Sequence, residues 1–178
     1  FVKKRRVPDC SLCVEVAYQD IDQMRSTFTE LATLLLGDAK QAKSLMSKAK
    51  LHSMEELEDS WWNLYEKLLS TGRAVELSLK IELEDFLHNV QKLIHNKDLS
   101  TGENLTGEIF IDTAAFDDSQ CIGDWCAHLN STWKNHKLVG MDIGTDSLVL
   151  MVLSNEEFET AQELAKELLH RIDVAERL

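Results

Sequence analysis

The stretch Lys137-Leu-Val-Gly-Met-Asp-Ile-Gly-Thr-Asp-Ser-Leu-Val-Leu-Met-Val-Leu153 decides the fold of this chain. Its first half alternates between two faces, as in a strand with one buried side, with Val139, Met141 and Ile143 on one face and Leu138, Gly140 and Asp142 on the other. Residues 148–153 are apolar without interruption, which is typical of a strand buried on both faces. The pattern therefore predicts two strands around a Gly-Thr-Asp turn, with a central strand near the C-terminus.

The composition indicates a folded protein outside the membrane. The chain has 178 residues, of which 44% are hydrophobic and 28% charged, and a single proline, which suits one compact domain or a small helical subdomain on a larger core. No uncharged apolar run approaches the roughly 18 residues that a membrane span needs. The acidic residues that follow the basic N-terminus interrupt any signal-peptide core. We therefore expect a cytoplasmic protein without a membrane contact.

Three segments are expected along the chain. Residues 1–19 form a basic, flexible N-terminal extension, residues 20–71 a helical segment packed on the core, and residues 72–178 an α/β core domain. In the helical segment, Asp20 is placed to cap a first helix that ends at Gly37. A short basic helix follows over residues 39–50. Ser53-Met-Glu-Glu56 has the form of a capping box that opens a third helix, with Trp61 and Tyr65 on its buried stripe.

The core domain is predicted to have the order βαβαββα. A second capping box, Ser154-Asn-Glu-Glu157, opens the last helix, whose inward stripe runs to Ile172. The fold class is therefore α+β, with a three-helix N-terminal segment and a mainly four-stranded mixed sheet. The remaining elements are strands over residues 73–80 and 108–112, helices over residues 82–95 and 120–135, and the hairpin.

The negative charge is concentrated in the C-terminal part. Residues 1–100 hold 14 Lys and Arg against 16 Asp and Glu, whereas residues 101–178 hold 5 against 15. Such a surface repels phosphate backbones, so nucleic acid is not an expected partner. A basic protein partner fits this charge, and the partner-binding residues that we predict are Asp117, Asp118, Asp142 and Asp146.

The aspartates also allow a second interpretation. Asp112, Asp142 and Asp146 lie near predicted strand ends, where carboxylates could hold a divalent cation. Asp142 and Asp146 have a simpler role in the hairpin turn, and Asp117 and Asp118 are placed to cap the helix that follows them. The hairpin turn does not continue as a calcium loop, because Leu153 stands at the twelfth position from Asp142, where a Glu is required. The sequence contains no glycine motif for phosphate binding. The histidines, including His170, are expected on partly exposed helix faces, and we expect neither a catalytic residue nor a cofactor.

Four segments resemble an uncharacterised bacterial domain family of unknown function. They are Leu34-Leu-Leu-Gly37, Gly72-Arg-Ala-Val-Glu-Leu77, Glu84-Asp-Phe86 and Asp142-Ile-Gly-Thr-Asp-Ser147. The resemblance covers roughly residues 28–172 and implies N-terminal helices and a late strand-turn-strand. Where the family carries Asp and Trp after its Glu-Leu pair, this chain has Ser78 and Leu79. The resemblance implies no activity.

Two functions remain open at this point. The first is a non-enzymatic interaction protein whose acidic face binds a basic partner, either as a toxin-neutralising immunity protein or as an adaptor. The second is a metal-assisted hydrolase that uses Asp112, Asp142 and Asp146. An enzyme is the less favoured of the two. A homodimer through an exposed sheet edge is compatible with either function.

Overall fold

The computed structural model describes residues 10–48, 53–102 and 104–178. Three helices come first: α1 spans Cys10–Leu36, α2 spans Ala39–Lys48 and α3 spans Met54–Ser70. Strand β1 (Val75–Ser78) leads into α4 (Leu83–Thr101), the one-turn helix α5 (Leu105–Glu108) and α6 (Ile122–Thr132). Strands β2 (His136–Met141) and β3 (Ser147–Ser154), helix α7 (Asn155–Glu167) and strand β4 (Ile172–Val174) complete the chain. Two short 3-10 helices cover Thr113–Ala115 and Ala175–Arg177.

The four strands form one sheet in the order β1-β3-β2-β4. The α+β class and the four strands are therefore confirmed, but the expectation of a mixed sheet is wrong, because every neighbouring pair is antiparallel. The connection from β1 to β2 passes through three helices and leaves these two strands parallel, as a βαβ order predicts. Strand β3 then enters between them and pairs with both, so that β1 and β2 never become neighbours.

Helices cover both faces of this sheet. One hydrophobic cluster packs α1, α2, α3 and α7 against the face that carries Val139, Met141 and Val149. The second packs α4, α5 and α6 against the opposite face, which carries Leu138 and Leu150. Because β3 lies between two layers, its residues from Leu148 to Leu153 are all buried, as the uninterrupted apolar run predicts.

Two predicted elements of the core take a different form. The segment 108–112 is not a strand: α5 ends at Glu108, and the extended chain that follows turns Ile109 into the core while Phe110 remains 81% exposed. The last helix does not reach Ile172 either. It ends at Glu167, and Ile172 pairs with Met141 as the first residue of β4. The fourth strand therefore comes from the C-terminus.

Helix boundaries follow their local signals at most places. Ser53 accepts a hydrogen bond from the Glu56 backbone N–H, and the Ser154 capping box is present in full. The predicted cap at Asp20 is wrong, because α1 already begins at Cys10. Residues 1–9 lie outside the described part of the chain, so the basic extension is described only from its tenth residue. Among the described residues, none of the helices combines the length and the apolar character that crossing a membrane requires.

Candidate functional site

Several connecting segments meet at one end of the sheet, which we call the hairpin end. The loop 142–146 joins β2 to β3 there, and Ser78 at the end of β1 pairs with Ser147 at the start of β3. On the other side, Ile172 at the start of β4 pairs with Met141 at the end of β2. The hairpin loop, the exit from β1 and the turn before β4 therefore share this end.

Three helices also begin at the hairpin end. Helix α4 follows β1 after a short link, and α6 returns antiparallel to β2, since Asn130 near its C-terminus contacts Leu138 near the start of that strand. In α3, Trp61 reaches the hairpin with its indole N–H. The first turns of these helices carry Glu55 and Glu56 in α3, Glu84 and Asp85 in α4, and Asp124 in α6. The partial positive charge of a helix N-terminus favours carboxylates in this position.

The four predicted partner-binding aspartates all belong to this end of the sheet. Asp142 and Asp146 lie in the hairpin loop and are exposed. Asp117 and Asp118 precede α6, and both are exposed as well. The structure therefore brings the four to one end but divides them between two places, the loop itself and the entrance to α6.

Two of these aspartates organise the backbone around them. Asp117 accepts hydrogen bonds from the hydroxyl of Ser119 at 2.7 Å and from its backbone N–H at 2.9 Å, and these bonds lower the pKa of the Asp117 carboxyl. The carboxylate of Asp142 accepts from the Gly144 N–H at 2.9 Å, and Gly144 has a φ of +70°. Both carboxylates are thus held in place while one face of each remains exposed.

An acidic groove runs between the start of α4 and the segment before α6. It has a volume of about 670 Å³, and we call it the α4 groove. Its floor contains Leu83 and Leu87, and none of the described lysines and arginines lines it. The residues that line it are Glu82, Leu83, Glu84, Leu87, His88, Gln91, Thr113 and Asp118. An apolar floor between three carboxylates suits a long cationic side chain, whose stem is apolar and whose head is charged.

The metal interpretation has less support in the geometry. Asp112 accepts from the Ala114 N–H at 3.1 Å and caps the first 3-10 helix. Among the described residues, no three His, Cys, Asp or Glu side chains form a group that could hold one metal ion. Asp112, Asp142 and Asp146 are therefore not gathered into a shared site in this conformation.

An aromatic corner supports the hairpin from the side of α3. The ring of Trp61 stacks on His170 with a centroid distance of 4.1 Å and an interplanar angle of 8°. Its indole N–H donates to the backbone carbonyl of Asp142 at 2.8 Å. The sequence placed Trp61 in the core, which is confirmed, but no local pattern indicated that it would contact the hairpin. The stacked position of His170 was also missed, because its partner is more than a hundred residues away.

Two of the segments that carry the family resemblance, residues 72–77 and 142–147, meet beside this corner. The Tyr65 hydroxyl donates to the Glu76 carboxylate at 2.7 Å, and the Trp62 ring packs edge-on against Tyr65 with a centroid distance of 5.0 Å. Hydrogen bonds from Ser147 and Tyr65 lower the pKa of the Glu76 carboxyl, whereas burial and this carboxylate raise the pKa of Tyr65 to about 12. Glu76 of β1 is thereby linked to Ser147 at the start of β3.

The comparisons with known proteins identify a family but no activity. A family model described as "Domain of unknown function (DUF6630)" matches residues 27–175. No curated protein and no solved structure matches the chain.

Proposed function

The chain belongs to the family of the domain of unknown function DUF6630, and we propose that it is a non-enzymatic interaction protein whose acidic hairpin end binds a basic protein partner. The proposal places it in the bacterial cytoplasm, as an immunity protein that neutralises a toxin or as an adaptor. One observation carries it: the α4 groove and the hairpin loop present carboxylates at one end of the sheet. Such a surface attracts a basic protein and raises the rate at which the two proteins associate.

The chemistry of the α4 groove supports a partner that inserts lysine or arginine side chains. Glu82 and Glu84 line one side and Asp118 the other, so a cationic head can be shared between the two walls. Leu83 and Leu87 offer apolar contact to the aliphatic stem. The carboxylates are exposed, so each ion pair contributes little, and the affinity must come from several of them acting together.

A direct test measures binding of a fluorescent lysine-rich peptide and of a matched peptide in which glutamine replaces lysine. The triple variant Glu82→Gln, Glu84→Gln and Asp118→Asn should weaken binding of the lysine peptide by about tenfold, as expected for the loss of three exposed ion pairs of about 0.5 kcal/mol each. Wild-type affinity should fall steeply as the salt concentration rises.

The matched control changes the same net charge elsewhere. Glu156, Glu159 and Glu163 are exposed on α7, which packs on the sheet face opposite to the one that α4 and α6 cover. Replacing these three by glutamine should leave the affinity within about twofold of wild type, because exposed charges beyond a Debye length of about 10 Å are largely screened. Equal losses in the two triple variants would show only a general charge effect and would overturn the proposed site.

A further inference from the structure

His170 occupies a position in which its ring supports the hairpin end. It follows α7 in a turn whose preceding residue, Leu169, has a φ of +60°. The ring stacks on Trp61, and its Nε2 atom is buried without a hydrogen-bond partner among the described residues. A neutral imidazole can leave one nitrogen unpaired, but an imidazolium carries a hydrogen on both nitrogens and needs acceptors for them.

Two hydrogen bonds connect this turn to the hairpin. Trp61 donates from its indole N–H to the Asp142 carbonyl at 2.8 Å, and the Asp142 N–H donates to the Arg171 carbonyl at 3.0 Å. Asp142 is therefore held on one side by the residue that stacks on His170 and on the other by the residue that follows His170. A displacement of the imidazole ring would act on both bonds.

The charges around the ring come from two other elements. Glu58 of α3 and Asp142 of the hairpin raise the pKa of His170, but burial outweighs them and lowers this pKa below its ordinary value of 6.5. On the segment that contains His170, the Arg171 guanidinium donates to the Asp173 carboxylate and to the Arg177 carbonyl. The stacked arrangement therefore favours the neutral ring.

We propose that His170 is a positioning residue for the hairpin that carries Asp142 and Asp146, and that protonation of its ring releases this support. The proposal rests on the proposed function for its consequence, which is weaker binding of a basic partner at low pH. The sign follows from the preference for the neutral ring: as the pH falls, the population shifts from the stacked to the released arrangement. A difference of one pKa unit between the two arrangements corresponds to about a tenfold change in their ratio.

The first test uses NMR and needs no ligand. In the wild-type protein, the indole N–H of Trp61 and the amide N–H groups of Asp142 and Gly144 should shift together between about pH 7.5 and pH 5, with one common midpoint below pH 6.5. His170→Phe keeps an aromatic ring but cannot be protonated, and it should abolish this common transition. His95→Gln, which removes an exposed histidine of α4, should leave the transition unchanged. Wild-type signals that do not titrate in this range would overturn the proposal, whatever the behaviour of the variants.

The second test measures the affinity of the protein for the lysine-rich peptide across the same pH range. Wild-type affinity should fall by up to about tenfold with the midpoint found by NMR. The His170→Phe protein should show a much smaller loss. Peptide binding with the same pH profile in both proteins would overturn the role of His170 and leave the proposed function intact. Absence of peptide binding at every pH would overturn the proposed function, and the NMR transition would then decide the role of His170 alone.

Discussion

The ammonium of Lys97 donates to the carboxylate of Glu157 and, at 3.1 Å, to the backbone carbonyl of Val152. The Lys97 side chain is only 5% exposed and that of Glu157 is 28% exposed. Strand β1 pairs with β3 only as far as Leu150, so β1 does not extend to Val152. A lysine from α4 thus takes the place of a missing strand and connects the two helix layers.

Removing the Lys97 charge is expected to destabilise the fold. Lys97→Met should lower the free energy of unfolding by about 2–3 kcal/mol, because it leaves Glu157 as a half-buried carboxylate without its cation. Urea denaturation measures this change. Lys92→Met, at an exposed position of the same helix, is the control and should change stability by less than about 0.5 kcal/mol. The double variant Lys97→Met with Glu157→Gln should be more stable than the sum of the two single losses predicts, and simple additivity would contradict the pairing.

The same pair predicts a loss of stability in acid. Burial raises the pKa of the Glu157 carboxyl, but hydrogen bonds from Lys97 and Ser154 outweigh it and hold this pKa below its ordinary value of 4.5. A lowered pKa in the folded state contributes stability that is present above pH 4.5 and is lost as the pH falls through the folded-state value. Stability measured from neutral pH to about pH 3 should therefore fall less steeply in Lys97→Met than in the wild type. Parallel curves would argue against this contribution.

Asn130, like Lys97, forms backbone hydrogen bonds at a place where a neighbouring strand is missing. Its amide donates to the Leu138 carbonyl at 2.8 Å and accepts from the Leu138 N–H at 2.7 Å, while β4 covers β2 only from Val139. Asn130→Leu should cost about 2–4 kcal/mol of unfolding free energy, because it leaves a buried N–H and a buried carbonyl unpaired. Thermal and urea unfolding report this loss. Asn89→Leu on α4 removes only an exposed hydrogen bond to the Asp85 carbonyl of the same helix, so it should be nearly neutral. A similar loss in both variants would contradict the role given to Asn130.

At position 169, glycine should give a more stable fold than leucine. Leu169 is the second residue after the end of α7 and has a φ of +60°, where its Cβ is strained, and its side chain is 72% exposed. Leu169→Gly should stabilise the fold by about 0.5 kcal/mol, because relief of about 1 kcal/mol of strain exceeds the added entropy of the unfolded glycine. Leu169→Ala retains the Cβ and should show no gain. A gain in the alanine variant at Leu169 would exclude backbone strain as the cause.

In the hairpin, Gly144→Ala should lower the free energy of unfolding by about 1 kcal/mol. Gly144 has a φ of +70°, and no atom of the described residues lies within 4 Å of the position that a Cβ would take, so backbone strain alone accounts for the loss.

The candidate site was only partly predictable from the sequence. Turn chemistry correctly assigned a backbone role to Asp142, because its hydrogen bond from the Gly144 N–H spans only two residues of the chain. The helix-cap role expected for Asp117 and Asp118 is wrong: Asp117 organises a turn with Ser119, and the N-cap of α6 is Cys121. The meeting of Asp118 with Glu82 and Glu84 in one groove was not predictable, since it depends on how α4 and α6 pack on the sheet. The contact of Trp61 with His170 is equally non-local.

Elements whose signals are local were predictable from the sequence. The capping serines, the apolar stripe of α3 and the two-sided burial of β3 follow from spacings of two to four residues, and the structure has all three. Only the tertiary structure decided that β3 lies between β1 and β2, and that Ile172 rather than Ile109 belongs to the fourth strand. The sequence pattern of a short apolar segment does not distinguish a helix, a strand and a buried loop. Its conformation therefore depends on the neighbouring segment that completes its backbone hydrogen bonds.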